Sequence, residues 1–412
     1  MKAWRPLARP ELRAQCLQIA EEVAAALVED PPRDFGLADG AAGCALLHAY
    51  LEEALPGRGH GGHAIESLDR AIESVSGEEY DAGLFTGLSG IAWVSEHVQP
   101  WLVDPGDDDA NGEVDEVLIS RTADYPETGK LDLIAGIVGI GVYARVRAGR
   151  GRSPELLDQI LRVLERRAIR EGDRLCWPGD RELLAEAPGG ASIDRYFDLG
   201  LAHGVPGMIS FLAEFEAESP LFARARVLLE GAMKWQRSQQ LSTESGGAFA
   251  NYASPLGDDV LARNAWCRGD AGAGIALVAG AFRLGDPALE AAALQIARRS
   301  AGRLGPSSAV VDAGLCHGSS GLALINARLF QATGAAAFAE AVDYWIEKTL
   351  SFREPGTAFA GYRRVHLGAR EPAKGLLFGA TGIALALLAC ATEHPPRWDS
   401  AFFPALSRPK TG

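Results

Sequence analysis

One pattern of polar and apolar positions recurs seven times along the chain. A glycine-rich turn ends in G-x-x-G, and a run of apolar residues follows. The copies are GLADGAAGCALLHAYL from Gly36, GLFTGLSGIAWV from Gly83, LDLIAGIVGIGVYA from Leu131, GLAHGVPGMISFLA from Gly200, WCRGDAGAGIALVAGA from Trp266, GLCHGSSGLALINARL from Gly314 and GLLFGATGIALALLACA from Gly375. The closing glycines are 43, 90, 139, 207, 272, 321 and 382, so the spacings are 47, 49, 68, 65, 49 and 61. A period just under 50 accommodates two helices and two loops, and the longer intervals call for insertions.

The segment after each closing glycine is apolar on most helical faces, which predicts a buried helix. The stretches between them are amphipathic. In SPELLDQILRVLERRAIREG, Leu157, Ile160, Leu161, Leu164 and Ala168 share one face, with Ser153 as the expected N-cap and Pro154 at the first helical position. In AAAFAEAVDYWIEKTL the face is Phe338, Val342, Trp345 and Thr349. Each repeat therefore reads as one exposed and one buried helix. The buried helices are too apolar for an open solenoid, which predicts an all-α fold: an α/α toroid of seven helical hairpins, inner ring within outer ring, glycine loops at one end. The expected organisation is a single domain over 1–412 with insertions near 171–200 and 243–262. Those two stretches, rich in Gly, Pro and Asp, are candidate lids or substrate walls. Glycine in the repeated loops is expected to permit positive φ and close approach of neighbouring loops. GRGHGGH, with His60 and His63, reads as a flexible loop, and PGDDDANGEVDEV from Pro105 as a solvated one.

The net charge of −14 and pI near 5.1 disfavour a nucleic-acid partner, which needs a basic face. No apolar stretch approaches the length of a membrane span, so no direct membrane insertion is expected. The first residues lack the apolar core of a secretory signal, and a cytoplasmic location is expected. The six cysteines at 16, 44, 176, 267, 316 and 390 then read as reduced thiols or metal ligands rather than disulfides.

Counting back from the closing glycines separates these cysteines. Cys267 and Cys316 each stand five residues before theirs, His203 and His317 four before, and Asp132 seven before. Reactive residues thus share equivalent loops. Two thiolates and an imidazole are a donor set that zinc favours, and three protein ligands leave one position open, the mark of a catalytic site. Singly, Cys267 could be a small core residue and His203 could bond a carbonyl at a helix start. Cys16, Cys44, Cys176 and Cys390 read as core or unpaired residues.

RNAWC (Arg263–Cys267), CHG (Cys316–Gly318), GLAHGVPG around His203 and LDLIAGIVG around Asp132 resemble the lanthionine synthetase C-like family, over about Gly36 to Ala391. The resemblance implies an α/α toroid with Zn2+ on Cys267, Cys316 and His317. It implies His203, Asp132 and Arg263 as the other active-site positions, with Trp266 beside them. It implies a stand-alone cyclase that adds cysteine thiols of a dehydrated precursor peptide to dehydroalanine or dehydrobutyrine, with a dehydratase and an exporter as further partners. In that role His203 would give a proton, Asp132 would take the thiol proton or orient a partner, and Arg263 would stabilise an enolate oxygen or pair with Asp132. The family commonly has an aromatic residue or histidine after the WC cysteine and a proline three positions further on; this chain has Arg268 and Ala271 there. Three other readings remain open from sequence: addition of glutathione to dehydroamino acids, a non-catalytic zinc-containing peptide-binding scaffold, and a zinc prenyltransferase β-subunit. The last is disfavoured because Gly314, two before Cys316, offers no ligand side chain.

Overall fold

The computed structural model describes residues 4–75, 80–102, 109–180, 182–183, 196–253 and 260–408. In chain order its elements are α1 (Pro10–Glu29), α2 (Ala41–Ala54), α3 (His60–Ser74), α4 (Leu88–Leu102), α5 (Gly112–Ala123), α6 (Ile137–Val146), α7 (Ser153–Arg167), β1 (Ile169–Glu171), β2 (Arg174–Cys176), β3 (Phe197–Asp198), α8 (Val205–Leu212), α9 (Phe222–Ser238), β4 (Tyr252–Ala253), α10 (Asp270–Leu284), α11 (Pro287–Ala301), α12 (Ser319–Thr333), α13 (Ala336–Ser351), β5 (Arg364–His366), β6 (Ala369–Glu371) and α14 (Ala380–Ala391). They form two compact units, Met1–Val114 with Ala309–Asp399 and Asp115–Ser308 with Ser400–Gly412.

The helices that follow glycine loops are the buried ones. Every residue of α8 and of α14 is buried. The helices between them bury one stripe. α7 buries Leu156, Leu157, Ile160, Leu161, Val163 and Leu164, and α13 buries Phe338, Val342, Trp345 and Thr349. Burying each such leucine or isoleucine contributes about 1.5–3 kcal/mol, so the amphipathic helices are held by their stripes rather than by intrinsic propensity.

Several local expectations change. Ser153 does not cap α7. Arg152 occupies the N-cap position, while the Ser153 hydroxyl donates to the Ala144 carbonyl at 2.7 Å. The hydroxyl binds α6 because it is buried and must find an acceptor where it lies. His60 begins α3 instead of lying in a loop, and Gly112 begins α5. Among the described residues, short strands lie at 169–176, 197–198 and 252–253, in or beside the expected insertions, and at 364–371. They form the antiparallel pairs β1–β2, β3–β4 and β5–β6. Residues 184–195 and 254–259 of the two expected insertions, and 105–108 of the acidic stretch, lie outside the described residues.

Within the first unit, α14 packs on a helix far from it in sequence. That partner is α1, from the other end of the sequence. Leu7 and Ala8 N–H both donate to the Cys390 carbonyl, at 2.9 and 2.8 Å, and the Trp4 indole donates to Ala389 at 2.9 Å. Cys16, Ile19, Ala20, Val23, Ala24 and Leu27 form the buried stripe of α1.

Within each unit the glycine loops are tied to one another by main-chain hydrogen bonds at the residue five before the closing glycine, or, for Leu133, six before. In the first unit Cys316 N–H donates to Leu377 O (2.8 Å), Leu377 to Ala38 O (3.1 Å) and Ala38 to Phe85 O (2.9 Å). In the second unit Ala202 N–H donates to Cys267 O at 3.2 Å, and Leu133 N–H to Ala202 O at 3.1 Å. Close approach explains the glycines. A Cβ on Gly200 would fall on the Cys267 carbonyl oxygen, and one on Gly321 would fall on the Leu315 carbonyl of its own loop. Positive φ is the exception among them. Gly269 has φ 102°, whereas the N-cap glycines 40, 136, 204, 318 and 379 are extended, a conformation open to any residue. Gly200→Ala should therefore lower unfolding stability by about 1–3 kcal/mol through a forced backbone shift. Urea denaturation checks this, and an unchanged midpoint would mean that the loops can part without cost.

Candidate active site

The glycine register sorts the loop side chains by role. Nine residues before the closing glycine, four loops carry an aspartate that folds back on its own turn. Asp34, Asp81, Asp198 and Asp312 each accept the N–H of the glycine two residues on, Gly36, Gly83, Gly200 and Gly314, at 3.2, 3.0, 2.8 and 3.1 Å. This is an Asx turn repeated in register. Sequence reasoning missed it, although D-x-G stands in four of the seven copies. Five residues before the closing glycine the backbone joins the inter-loop hydrogen bonds, and Cys267 and Cys316 occupy this position. Four before stand His203, His317 and Arg268.

In the second unit, Asp132 lies at the mouth of its loop. Its Oδ1 accepts the N–H groups of Ala135 and Gly136, both at 2.9 Å. That leaves Oδ2 for the His203 Nδ1–H, at 2.6 Å. The pair fixes the tautomer and orientation of the imidazole, leaving Nε2 as the nitrogen available for chemistry. Burial by itself would disfavour the charged ring. The hydrogen-bonded Asp132 carboxylate and the nearby Asp198 charge outweigh it, so the His203 pKa is raised above that of an ordinary histidine. Both side chains line a cavity of about 370 Å³ with Lys130, Arg167, Asp180 and Tyr196.

Arg268 does not extend into solvent. Its Nε and Nη2 donate to Oδ2 of Asp198 at 3.0 and 2.7 Å, and that carboxylate is buried. The indole N–H of Trp266 donates to the Phe402 carbonyl at 3.0 Å, its ring meeting the Phe402 ring edge-on, which anchors the segment beside Cys267. Arg263 is exposed, and its guanidinium makes no hydrogen bond or ion pair among the described residues. The partner of Asp132 Oδ2 is His203.

In the first unit, Cys316 is buried and adjoins His317, whose ring lies 5.5 Å from that of Phe378. His317 Nε2 is 4.0 Å from Asp312 Oδ2, an oxygen that also accepts the Val365 N–H at 2.9 Å. Cys267 belongs to the second unit and Cys316 with His317 to the first, all in the same loop register. Soft thiolates with an imidazole suit zinc better than hard, oxygen-seeking cations. The other core cysteines differ in character. Burial pushes the Cys16 and Cys44 thiols up to about 12 and the Cys390 thiol higher still, as befits inert core residues.

Comparison with known proteins places the fold and the family. The family model for lanthionine synthetase C-like proteins matches residues 31–403. Among solved structures, nisin cyclase aligns with a TM-score of 0.73 at 16% identity, covering 96% of this chain and 98% of its own. A sugar epimerase from a ruminal bacterium aligns at TM-score 0.48 and 10% identity, covering 92% and 98%. A cellobiose 2-epimerase from Bacillus thermoamylovorans aligns at 0.44 and 12%, covering 92% and 99%. No curated protein matches the sequence. The fold class expected from the repeats, an all-α α/α toroid, is the fold of this chain. The match over residues 31–403 spans most of the sequence, and the chain belongs to the lanthionine synthetase C-like family.

Proposed function

We propose that the protein is a zinc-dependent lanthipeptide cyclase that adds a cysteine thiol of a dehydrated peptide to a dehydroalanine or dehydrobutyrine of the same peptide. The observation that carries this reading is the His203–Asp132 pair, held at 2.6 Å on a cavity wall in the loop register that also bears Cys267, Cys316 and His317. Those three residues would hold the zinc, which would supply Lewis acidity that keeps a peptide thiol ionised at neutral pH.

The protein's own groups handle the proton. As the thiolate sulfur bonds to the β-carbon, the π pair moves toward the carbonyl and an enolate forms. His203, charged and oriented by Asp132, gives the Nε2 proton to the α-carbon, and the proton lost from the thiol restores it. The sum is addition of S–H across C=C, with no oxidant or nucleotide consumed. A general acid with a pKa near working pH contributes typically 10²–10⁴-fold. No described helix is long and apolar enough to cross a membrane.

The test is to incubate purified protein with a dehydrated, cysteine-containing peptide. Cyclisation leaves the mass unchanged while the alkylatable thiol disappears, and elemental analysis should find one zinc per chain. Thiol loss through added glutathione, with the corresponding mass gain, would instead support the intermolecular reaction. Zinc without thiol loss would support a binding scaffold. The ionisation state of His203 gives a separate check. Its raised pKa favours the charged acid below that pKa, so activity should fall as pH rises through a value above the ordinary histidine range. Asp132→Asn removes the charge that raises it, and the alkaline limb should move to lower pH. A limb that stays in place would exclude His203 as the titrating acid.

A further inference from the structure

Lys130 departs from the rule of its register. It stands nine residues before Gly139, where four other loops carry the turn-forming aspartate, and two residues on its loop has Asp132 where they have the glycine. Its loop is held by the Asp132 side chain and by contacts to the Lys130 carbonyl. The Lys130 carbonyl accepts the Ile137 N–H at 3.0 Å and the Tyr125 hydroxyl at 2.5 Å. The side chain is thereby released from a structural task.

That side chain crosses to the inserted segment. Lys130 Nζ lies 3.3 Å from Asp180 Oδ2 and 3.0 Å from Glu182 Oε2, and all three residues line the cavity that holds Asp132 and His203. Asp180 is itself fixed. Its carbonyl accepts the Tyr196 hydroxyl, and Gly179 N–H donates to Tyr196 O at 3.0 Å. Among the described residues, the partner of the buried Asp180 Oδ2 is the Lys130 ammonium at 3.3 Å, an ion pair at the long end of hydrogen-bond distance. An oxygen held by one such contact keeps a lone pair able to accept an N–H. A cation and an acceptor side by side on a cavity wall match the two ends of a peptide group, C=O and N–H.

Building on the cyclase reading, we propose that Lys130 and Asp180 form a subsite that grips one backbone peptide group of the substrate beside the dehydroamino acid. Lys130 donates to the peptide carbonyl, and Asp180 Oδ2 accepts the peptide N–H. Such a grip ignores side chains and would serve rings of different sequence. Lys130 and Asp180 are positioning residues; proton transfer stays with His203.

The experiment measures calorimetric binding and cyclisation by the zinc-loaded enzyme, Lys130→Met and Asp180→Asn. The substrates are one dehydrated peptide and its analogue N-methylated at the amide flanking the dehydro residue. Each hydrogen bond to a charged group is worth roughly 10–100-fold in binding. Both variants should therefore raise Kd and KM for the parent peptide by about that factor, with kcat, zinc content and melting temperature unchanged, because ground and transition states lose equally. The N-methylated peptide should bind the wild type as weakly as the parent binds Asp180→Asn, and that variant should not distinguish the two peptides. An unmoved Kd in both variants would overturn the proposal. So would a penalty that follows the charge of substrate side chains rather than amide methylation. Normal binding differences without thioether formation by the wild type would sink the cyclase reading and leave the subsite standing.

Discussion

Cys316→Ala should yield a folded protein without zinc and with thioether formation below detection. In the proposed zinc site the side chain would supply one of two thiolates. Its backbone N–H is tied to Leu377, which any residue at the position can retain, so the loop should survive the loss of the sulfur. Removing one of the three proposed ligands would leave two, too few to retain zinc against buffer. His203→Gln is the matched contrast. It should keep its zinc and lose roughly 10²–10⁴ in rate, the share of a positioned general acid. Elemental analysis and a thiol-alkylation assay on both variants separate metal loss from acid loss. A Cys316→Ala protein that keeps stoichiometric zinc would refute the ligand assignment, and a His203→Gln protein that cyclises at the wild-type rate would remove the histidine from the chemistry.

The largest stability effect should come from Asp270→Ala, a residue that touches neither metal nor substrate. Asp270 is the first residue of α10, three positions after Cys267. It is fully buried. Its Oδ1 accepts Ala248 and Phe249 N–H at 2.9 and 3.0 Å, and its Oδ2 accepts from Arg303 Nη1 at 3.0 Å. Arg303, itself 4% exposed, also donates to the Ala262 and Ser307 carbonyls. Truncating the aspartate strands a buried guanidinium and two amides, which costs about 3–5 kcal/mol. Replacing both partners with apolar residues of similar shape, as in Asp270→Leu with Arg303→Met, should recover most of that loss, because no buried charge then remains. Chemical denaturation of the single and double variants gives both numbers. A single variant within 1 kcal/mol of wild type, judged against that central range, would mean that solvent reaches Arg303.

The periodic part of the molecule was legible in its sequence. Seven glycine loops gave the buried helices. Counting from their last glycines puts Cys267, Cys316, His203 and His317 into two adjacent register positions. What escaped was not periodic, or was periodic in a residue not being counted. The Asx turns at Asp34, Asp81, Asp198 and Asp312 repeat as faithfully as the glycines, but aspartates are common and blend into a solvated surface. The partnership of Arg268 with Asp198 is 70 residues distant in sequence and has no local signature. Three-residue strands such as β1 and β5 carry too few positions for alternation to appear. The amphipathic stripe of α1 could be read, but nothing near it says that its partner is α14.

That last pairing sets a timetable for biosynthesis. Glu29 leaves the ribosome roughly 360 residues before Ala391, which at about 5–20 residues per second is on the order of 20–70 s. Through that interval the stripe from Cys16 to Leu27 lacks its main partner, and α2 covers only part of it. The contact between Trp4 and Ala389, 385 residues apart, is among the last the nascent chain can make. Long-range closure of this kind raises contact order and slows folding. The opening helix is thus the segment of this chain most dependent on chaperone shelter, and a ribosome stalled before α14 would leave an aggregation-prone product.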